Sequence, residues 1–306
     1  MIKIKNLILA FLSAIFVIFA FSKVDLIVDL VKSFLEPERK VIIEPSNNYT
    51  KNIDYLFVKK STDYEPHSYD DLINIFYSLL DNGWLEFTFY CPLDYTECLD
   101  DVSKLSNDKV LLSDINNYVH PYNSYSSIRT IFDETGEVTI FVNKLYSSTE
   151  IIDLNKEIDK IMNELIKDNM SDVDKIKALH DYIVMHTTYD TDRSDKGNSN
   201  YDSARMTGAL FEHYAICSGY TDLMAVMLDK MDIPNFKVAS ETHIWNAVFV
   251  NGSWLHLDLT WDDPISVTGE ENYDDSFFLI DTNTLRDKDN KSTDHVFNID
   301  RYLEFN

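Results

Sequence analysis

Apolar residues recur every three or four positions in several segments of the chain, which is the spacing of an amphipathic helix. Ser68 precedes the first of these segments and is a suitable N-cap, because a serine oxygen accepts hydrogen bonds from the unpaired N–H groups of a helix start. Pro234 ends the last one, because proline cannot continue a helix. The predicted helices cover residues 68–80, 150–169, 172–186 and 217–233.

Alternating apolar and polar residues predict β-strands in two other regions. Strands are predicted over residues 84–90, 127–132 and 137–145, and a Gly-containing turn joins the last two. Farther along, two apolar-rich runs flank Asn251 and Gly252, a pair that favours a two-residue type I′ hairpin turn. Together the helices and strands predict an α+β fold.

The chain is expected to contain a linker and two folded units. Residues 23–49 are interpreted as a linker or amphipathic segment, with prolines at positions 37 and 45. Residues 50–148 are predicted to form a small α+β domain with about four strands. Residues 150–306 are predicted to form a second domain, which contains the 217–233 helix and the hairpin.

The N-terminus, residues 1–22, is interpreted as a targeting segment. Lys3 and Lys5 precede a largely apolar run over residues 7–21, which is shorter than the ~20 residues of a membrane span and fits a signal peptide. An uncleaved membrane anchor is equally open, because residues 24–35 continue with apolar positions at helical spacing. Both interpretations place the protein outside the cytoplasm, either secreted or anchored at the cell surface.

Composition excludes some function classes. The 306 residues carry a formal net charge of −25, which repels phosphate backbones, so nucleic acid is not expected as a partner. The acidic loop 189–202 does not match the EF-hand spacing and is interpreted as a solvated loop. The loop therefore gives no support for a calcium site.

The chain has three cysteines, and they fall into two groups. Cys91 and Cys98 are close in sequence, and a disulfide between them or two small apolar side chains are equally open interpretations. Cys217 stands apart at the start of a predicted helix, where unpaired N–H groups and the helix dipole favour a thiolate. This makes Cys217 a candidate nucleophile.

The hairpin provides candidate partners for that thiol. With Asn251 and Gly252 at the tip, Trp245 lies opposite Asp258. His243 is then the diagonal neighbour of Asp258 on the same face, and diagonal neighbours have Cβ atoms within about 8 Å of each other. A His–Asp hydrogen bond is therefore expected.

A second histidine, His256, lies on the same face of the hairpin, opposite Ala247. It is a rival candidate for the base. The register of the hairpin alone does not choose between His243 and His256.

Three motifs resemble the transglutaminase-like superfamily, whose members are rearranged relatives of papain-type cysteine proteases. Residues 209–220 contain Ile-Cys-Ser-Gly-Tyr, which is similar to the nucleophile motif of that family. Residues 243–246 (His-Ile-Trp-Asn) resemble its histidine motif, and residues 254–264 resemble its aspartate motif with a Trp-Asp-x-Pro tail. The resemblance covers residues 172–297. Within this range, residues 273–280 are expected to form the final strand.

The resemblance implies a papain-like or transglutaminase-like core, in which a helical lobe with the nucleophile helix packs on an antiparallel sheet. It implies that Cys217 is the nucleophile, His243 the base and Asp258 the residue that orients His243. The implied function is acyl transfer on protein or peptide amides, either cross-linking or hydrolysis, with substrates at the cell surface or cell wall. This chemistry needs no metal ion and no organic cofactor, so neither is expected. The alternative is a non-catalytic cell-surface or cell-wall binding module with the same fold.

Overall fold

Helices and strands are interspersed along the chain in the computed structural model, which describes residues 47–52, 54–55, 64–133, 135–263, 274–288 and 292–305. The predicted targeting segment, residues 1–22, and the apolar segment 24–35 lie outside the described residues. Within the described part, no helix combines the length and the apolar character needed to cross a bilayer. The helices are α1 (Tyr69–Asp81), α2 (Cys98–Asn107), α3 (Lys109–Asn117), α4 (Ser148–Leu165), α5 (Asp172–His186), α6 (Thr191–Lys196), α7 (Cys217–Asp229) and α8 (Thr282–Lys288). The strands are β1 (Glu86–Tyr90), β2 (Tyr125–Phe132), β3 (Glu137–Lys144), β4 (Thr188–Tyr189), β5 (Tyr214–Ala215), β6 (Asn235–Ala239), β7 (Ile244–Val250) and β8 (Ser253–Leu257).

The first antiparallel sheet has the order β1-β3-β2, and its β2–β3 hairpin confirms the sequence prediction. Helix α1 begins as predicted, because the Ser68 side chain accepts a hydrogen bond from the Asp71 N–H. The fourth strand expected in this unit has no counterpart in the described residues. Helices α2 and α3 were not predicted. Each is short, and Asp108 links them by capping the start of α3 with its side chain.

The second antiparallel sheet has the order β6-β7-β8 and holds the predicted hairpin. Val250 pairs with Ser253, and the register continues to Asn246 opposite Leu257, as counted from the sequence. Asn251 and Gly252 both have positive φ angles, of 53° and 81°, as a type I′ turn requires. The hairpin prediction is confirmed.

Strand β7 is buried on both faces. On one face, Val248 and Val250 join a cluster with side chains of α7. On the other, Trp245 and Ala247 join a cluster that also contains residues of α1, α3 and the first sheet. One hydrophobic cluster thus includes residues from both predicted domains, while the boundary between residues 50–148 and 150–306 stays a prediction.

Two local predictions are wrong. Of the strand expected over 273–280, only Ile280 pairs among the described residues, through a single bridge to His256. Leu279 has a φ of 51°, which interrupts an extended backbone. The loop 189–202 contains helix α6, because the Asp190 side chain caps its start and Gly197 ends it with left-handed geometry.

Candidate active site

The start of α7 places Cys217 in the first helical position, after Ile216 as the N-cap. The backbone there is fixed, because the Ile216 N–H donates to the Ser203 carbonyl at 2.8 Å. Position 219 requires glycine, because an added Cβ would lie 2.8 Å from the same carbonyl oxygen. Cys217 is half-buried and takes part in no disulfide. The thiol therefore lies at the positive end of a well-anchored helix.

His243 lies in the tight turn between β6 and β7. Its N–H donates to the Ser240 hydroxyl at 3.0 Å, and its carbonyl accepts from the Ser240 N–H at 2.9 Å. Its ring stacks on Trp245 at a centroid distance of 5.7 Å and an interplanar angle of 16°. Its Nε2 lies 2.6 Å from Asp258 Oδ2, which is the His–Asp hydrogen bond expected from the hairpin register.

Hydrogen bonds that involve side chains connect helix α7, which begins at Cys217, to strand β7, which follows His243. The Thr221 hydroxyl donates to the Ile244 carbonyl at 3.0 Å, and the Asn246 amide donates to the Thr221 carbonyl at 3.1 Å. The Cys217 side chain lies near enough to His243 to raise the pKa of that imidazole. The structure thus brings all three predicted residues, Cys217, His243 and Asp258, into one cluster.

The charges of this cluster follow from opposing effects on its pKa values. Burial alone would lower the pKa of His243, but the charge of Asp258, the hydrogen bond to Asp258 and the interaction with Cys217 raise it to about 10. Burial would raise the pKa of Asp258, but the charge of His243 and hydrogen bonds from His243 and His295 hold it well below its usual range. At neutral pH the pair is therefore an imidazolium and a carboxylate.

The rival histidine, His256, has both ring nitrogens engaged elsewhere. The Trp245 indole N–H donates to its Nδ1 at 3.0 Å, and its Nε2 lies 3.0 Å from the Thr282 hydroxyl. Burial, with the nearby charge of His295, lowers the pKa of His256 to about 3. This imidazole is neutral at pH 7 and shares its hydrogen bonds with Trp245 and Thr282, so it packs between core elements beside the cluster.

Asp258 is the hub of the cluster. Its Oδ1 accepts the backbone N–H groups of Thr260 at 2.9 Å and Trp261 at 3.3 Å. Its Oδ2 accepts from His243 and also from His295 Nε2, at 2.8 Å. His295 was not among the predicted site residues, because it follows Asp258 by 37 positions and belongs to none of the three motifs.

His243, Asp258 and His295 offer ligand atoms that all lie within 4.8 Å of one another. Both Nε2 atoms lie at hydrogen-bond distance from one carboxylate oxygen, at 2.6 and 2.8 Å. Ligands around a tetrahedral zinc ion at ~2.0–2.1 Å would instead be separated by about 3.3 Å. The observed distances are those of a hydrogen-bonded network.

The tail of the aspartate motif fixes the segments around the cluster. Asp262 Oδ1 accepts the Phe277 N–H at 2.8 Å, and its Oδ2 lies 3.2 Å from His180 Nε2 on α5. The buried Tyr220 hydroxyl donates to Asp263, which anchors α7 to the same segment. These contacts link both helices to the end of the hairpin.

Known proteins resemble the central part of the chain. Residues 159–259 match the family model of the transglutaminase-like superfamily, and this segment contains Cys217, His243 and Asp258. The kyphoscoliosis peptidase of Mus musculus aligns over 134 residues at 22% identity, covering 39% of this chain and 20% of that protein. A solved structure of a TGase aligns at 17% identity over 44% of each chain, with a TM-score of 0.34. The chain thus spans about a fifth of the length of the curated relative and less than half of the solved chain.

The predicted fold class is confirmed. The described residues form a mixed helix and sheet structure in which α7 packs on the antiparallel sheet of β6, β7 and β8. The family match over residues 159–259 identifies this arrangement as a transglutaminase-like core.

Proposed function

We propose that this chain, whose residues 159–259 form a transglutaminase-like domain, is a cysteine-dependent acyl-transfer enzyme acting on protein or peptide amides. The observation that carries the proposal is the buried His243–Asp258 pair, with 2.6 Å between nitrogen and oxygen, beside the thiol of Cys217 at a helix start. A nucleophile, a base and a group that orients the base are the parts this chemistry requires.

The proposed first step is attack of the Cys217 thiolate on an amide carbonyl carbon. His243 Nε2 is held by Asp258, so Nδ1 is the nitrogen that exchanges protons with the sulfur and the substrate. The backbone N–H of Cys217 lies in the first turn, where helix N–H groups have no intrahelical acceptor, and stabilises the oxyanion. The C–N bond then breaks, the imidazolium gives its proton to the departing amine, and a thioester remains on Cys217.

The thioester is resolved by a second nucleophile. A primary amine that attacks the thioester forms a new amide, which is cross-linking, and water releases a carboxylate, which is hydrolysis. In both cases His243 takes a proton from the attacking group and the thiolate departs. Hydrolysis has the added support of the kyphoscoliosis peptidase, whose name denotes a peptidase.

The test uses the full chain with a glutamine-rich protein such as casein and a fluorescent primary amine. We expect either amine incorporation into the protein or new N-termini from its cleavage, and Cys217→Ala should abolish both. The Cys217→Ala variant is the matched control, because it removes one sulfur at a half-buried position. If neither product forms, or if Cys217→Ala retains it, the enzyme proposal fails and the non-catalytic binding module is supported.

We also propose that the protein acts outside the cytoplasm, with substrates at the cell surface or cell wall. The support is the apolar run over residues 7–21 that follows Lys3 and Lys5. Fractionation of cells that express the full chain tests this. Deletion of residues 1–22 should move the protein to the cytoplasm, and an unchanged distribution would contradict the proposal.

A further inference from the structure

Two imidazoles converge on a single carboxylate oxygen in this protein. His243 Nε2 and His295 Nε2 lie 2.6 and 2.8 Å from Asp258 Oδ2. Since an ionised carboxylate is only an acceptor, each imidazole donates an N–H to it. The oxygen that orients the base is therefore shared with a second donor, which a Cys-His-Asp triad by itself does not need.

His295 is held rigidly where it makes this contact. Its side chain is fully buried. Its ring stacks on Phe277 at a centroid distance of 5.2 Å and an interplanar angle of 19°, and it meets Trp245 edge to face at 4.9 Å. It also stands perpendicular to His243, at 5.4 Å and 89°. Aromatic walls on several sides leave the ring little freedom to turn away from Asp258.

The contact has a physical consequence for Asp258. A carboxylate that is 1% exposed must have its lone pairs satisfied by donors, because burial penalises its charge. The Thr260 and Trp261 N–H groups satisfy Oδ1, which leaves Oδ2 to the two imidazoles. Without His295, the Oδ2 atom would have a single donor, and its direction toward His243 would be less restricted.

We propose that His295 is a positioning residue that fixes Asp258 Oδ2 in line with His243 and thereby holds the imidazole toward Cys217. The inference rests on the proposed function. The hydrogen bond of His295 goes to Asp258, so in this proposal His295 acts through Asp258 and His243. Its effect on the thiol must therefore depend on the presence of His243.

The test measures the second-order rate of Cys217 alkylation by iodoacetamide at pH 7, which needs no knowledge of the substrate. His295→Phe keeps an aromatic ring between the aromatic walls but removes the donor. We expect it to slow alkylation about 10-fold, the lower end of the loss typical for residues that orient a ligand or base from the next layer.

Two matched variants test whether the donor is what matters. The amide nitrogen of glutamine reaches the position of Nε2, so His295→Gln should retain the wild-type rate within about threefold. Asparagine is one methylene shorter, so His295→Asn should be as slow as His295→Phe. Equal rates in the Gln and Asn variants would contradict a role for the Nε2 donor.

A double-variant cycle separates positioning from a general structural role. In the His243→Ala background, His295→Phe should change the alkylation rate by less than about twofold. A 10-fold loss in both backgrounds would overturn the inference and indicate that His295 only supports the fold. If His243→Ala alone leaves the alkylation rate unchanged, it is the proposed function that fails. Thermal unfolding of each variant confirms that the proteins compared are folded.

Discussion

The two antiparallel sheets of the described chain are built alike but bury different chemistry. In the first sheet, the middle strand β3 alternates between buried and more exposed positions, and its fully buried residues are Val138, Ile140 and Val142. In the second, the middle strand β7 is buried at most positions on both faces. Next to it lie the buried imidazoles of His243 and His256 and the buried carboxylate of Asp258.

The difference shows how this fold supports reactive groups. A sheet with one covered face needs only an apolar stripe at every second residue. A sheet covered on both faces also buries the residues of its second face, including the polar ones. Buried polar side chains are stable there only when each is hydrogen-bonded. His243, Asp258 and His256 meet that condition through one another, His295, Trp245 and Thr282. The same burial and pairing set the pKa values that the proposed chemistry uses.

The largest expected effect comes from Asp258, which accepts hydrogen bonds from both His243 and His295 beside the second sheet. Asp258→Asn keeps the shape but replaces one acceptor oxygen with an amide donor, which cannot accept from both imidazoles. We predict a loss of about 10³–10⁴-fold in kcat/KM in the amine-incorporation or cleavage assay.

A polar pair on the first sheet is the matched control for Asp258→Asn. Thr88 and Thr139 form a hydroxyl–hydroxyl bond at 2.9 Å across β1 and β3. Thr88→Val should leave kcat/KM unchanged. Similar losses in both variants would contradict the contrast between the sheets.

A second variant removes one partner of the buried ion pair between the second sheet and α7. Lys237 Nζ on β6 lies 3.1 Å from Asp222 Oδ1 on α7, and both side chains are almost fully buried. Lys237→Met should lower the free energy of unfolding by about 3–5 kcal/mol, because it leaves a buried carboxylate without its cation. Urea denaturation measures this change.

The control for that variant is an exposed ion pair beside the first sheet. Lys104 and Asp101 on α2 are 2.8 Å apart, but the Lys104 side chain is 69% exposed. Lys104→Met should leave the urea midpoint unchanged, since water screens such pairs. A loss after Lys237→Met no larger than after Lys104→Met would show that the buried pair contributes little.

The neutral histidine of the second sheet predicts a pH dependence of stability. The pKa of His256 is about 3 in the folded protein against 6.5 for an unperturbed histidine, so acid favours the unfolded chain. The contribution of neutral His256 to the free energy of unfolding is fully present above pH 6.5 and is lost as the pH falls through 3. We expect a loss of about 4–5 kcal/mol across this window.

His256→Asn, which keeps an acceptor near the Trp245 indole and does not titrate, should flatten that part of the stability curve. The measurement is urea denaturation at a series of pH values for both proteins. Parallel curves for the wild type and the variant would contradict the assigned ionisation.

The smallest expected effect comes from removing the disulfide beside the first sheet. Cys91 and Cys98 form a disulfide, which settles a question the sequence left open. Replacing both with serine should cost about 2 kcal/mol of stability, as expected for a short loop. The alkylation rate of Cys217 should not change, and a slowed rate would indicate that the two regions are coupled.

Local geometry explains which parts of the site could be predicted. Asn251 and Gly252 determine the turn, the turn determines the register, and the register determines that His243 and Asp258 are neighbours. Each step spans a few residues and follows from the period of two in a strand. The Cys217 helix was predictable for the same reason, since its apolar stripe and Pro234 are local signals.

His295 was not predictable, because no register connects it to Asp258. The intervening residues include the bridge at Ile280, the left-handed Leu279 and helix α8, and none of these fixes where position 295 lies. The packing of its ring against Phe277 and Trp245 and its hydrogen bond to Asp258 place it there. Contacts of this kind depend on tertiary structure, which a pattern along the chain does not encode.

The most direct test of the proposed cluster of Cys217, His243 and Asp258 is the pH dependence of Cys217 alkylation by iodoacetamide. Cys217 is the one cysteine of the chain outside the Cys91–Cys98 disulfide, so the signal is unambiguous. For the wild type we predict an inflection of the alkylation rate near pH 10, where His243 loses its proton. For His243→Ala we predict a slower rate at neutral pH and no inflection near pH 10, because the imidazole that titrates there is gone. A wild-type profile that His243→Ala leaves unchanged would contradict the proposed pairing of Cys217 with His243.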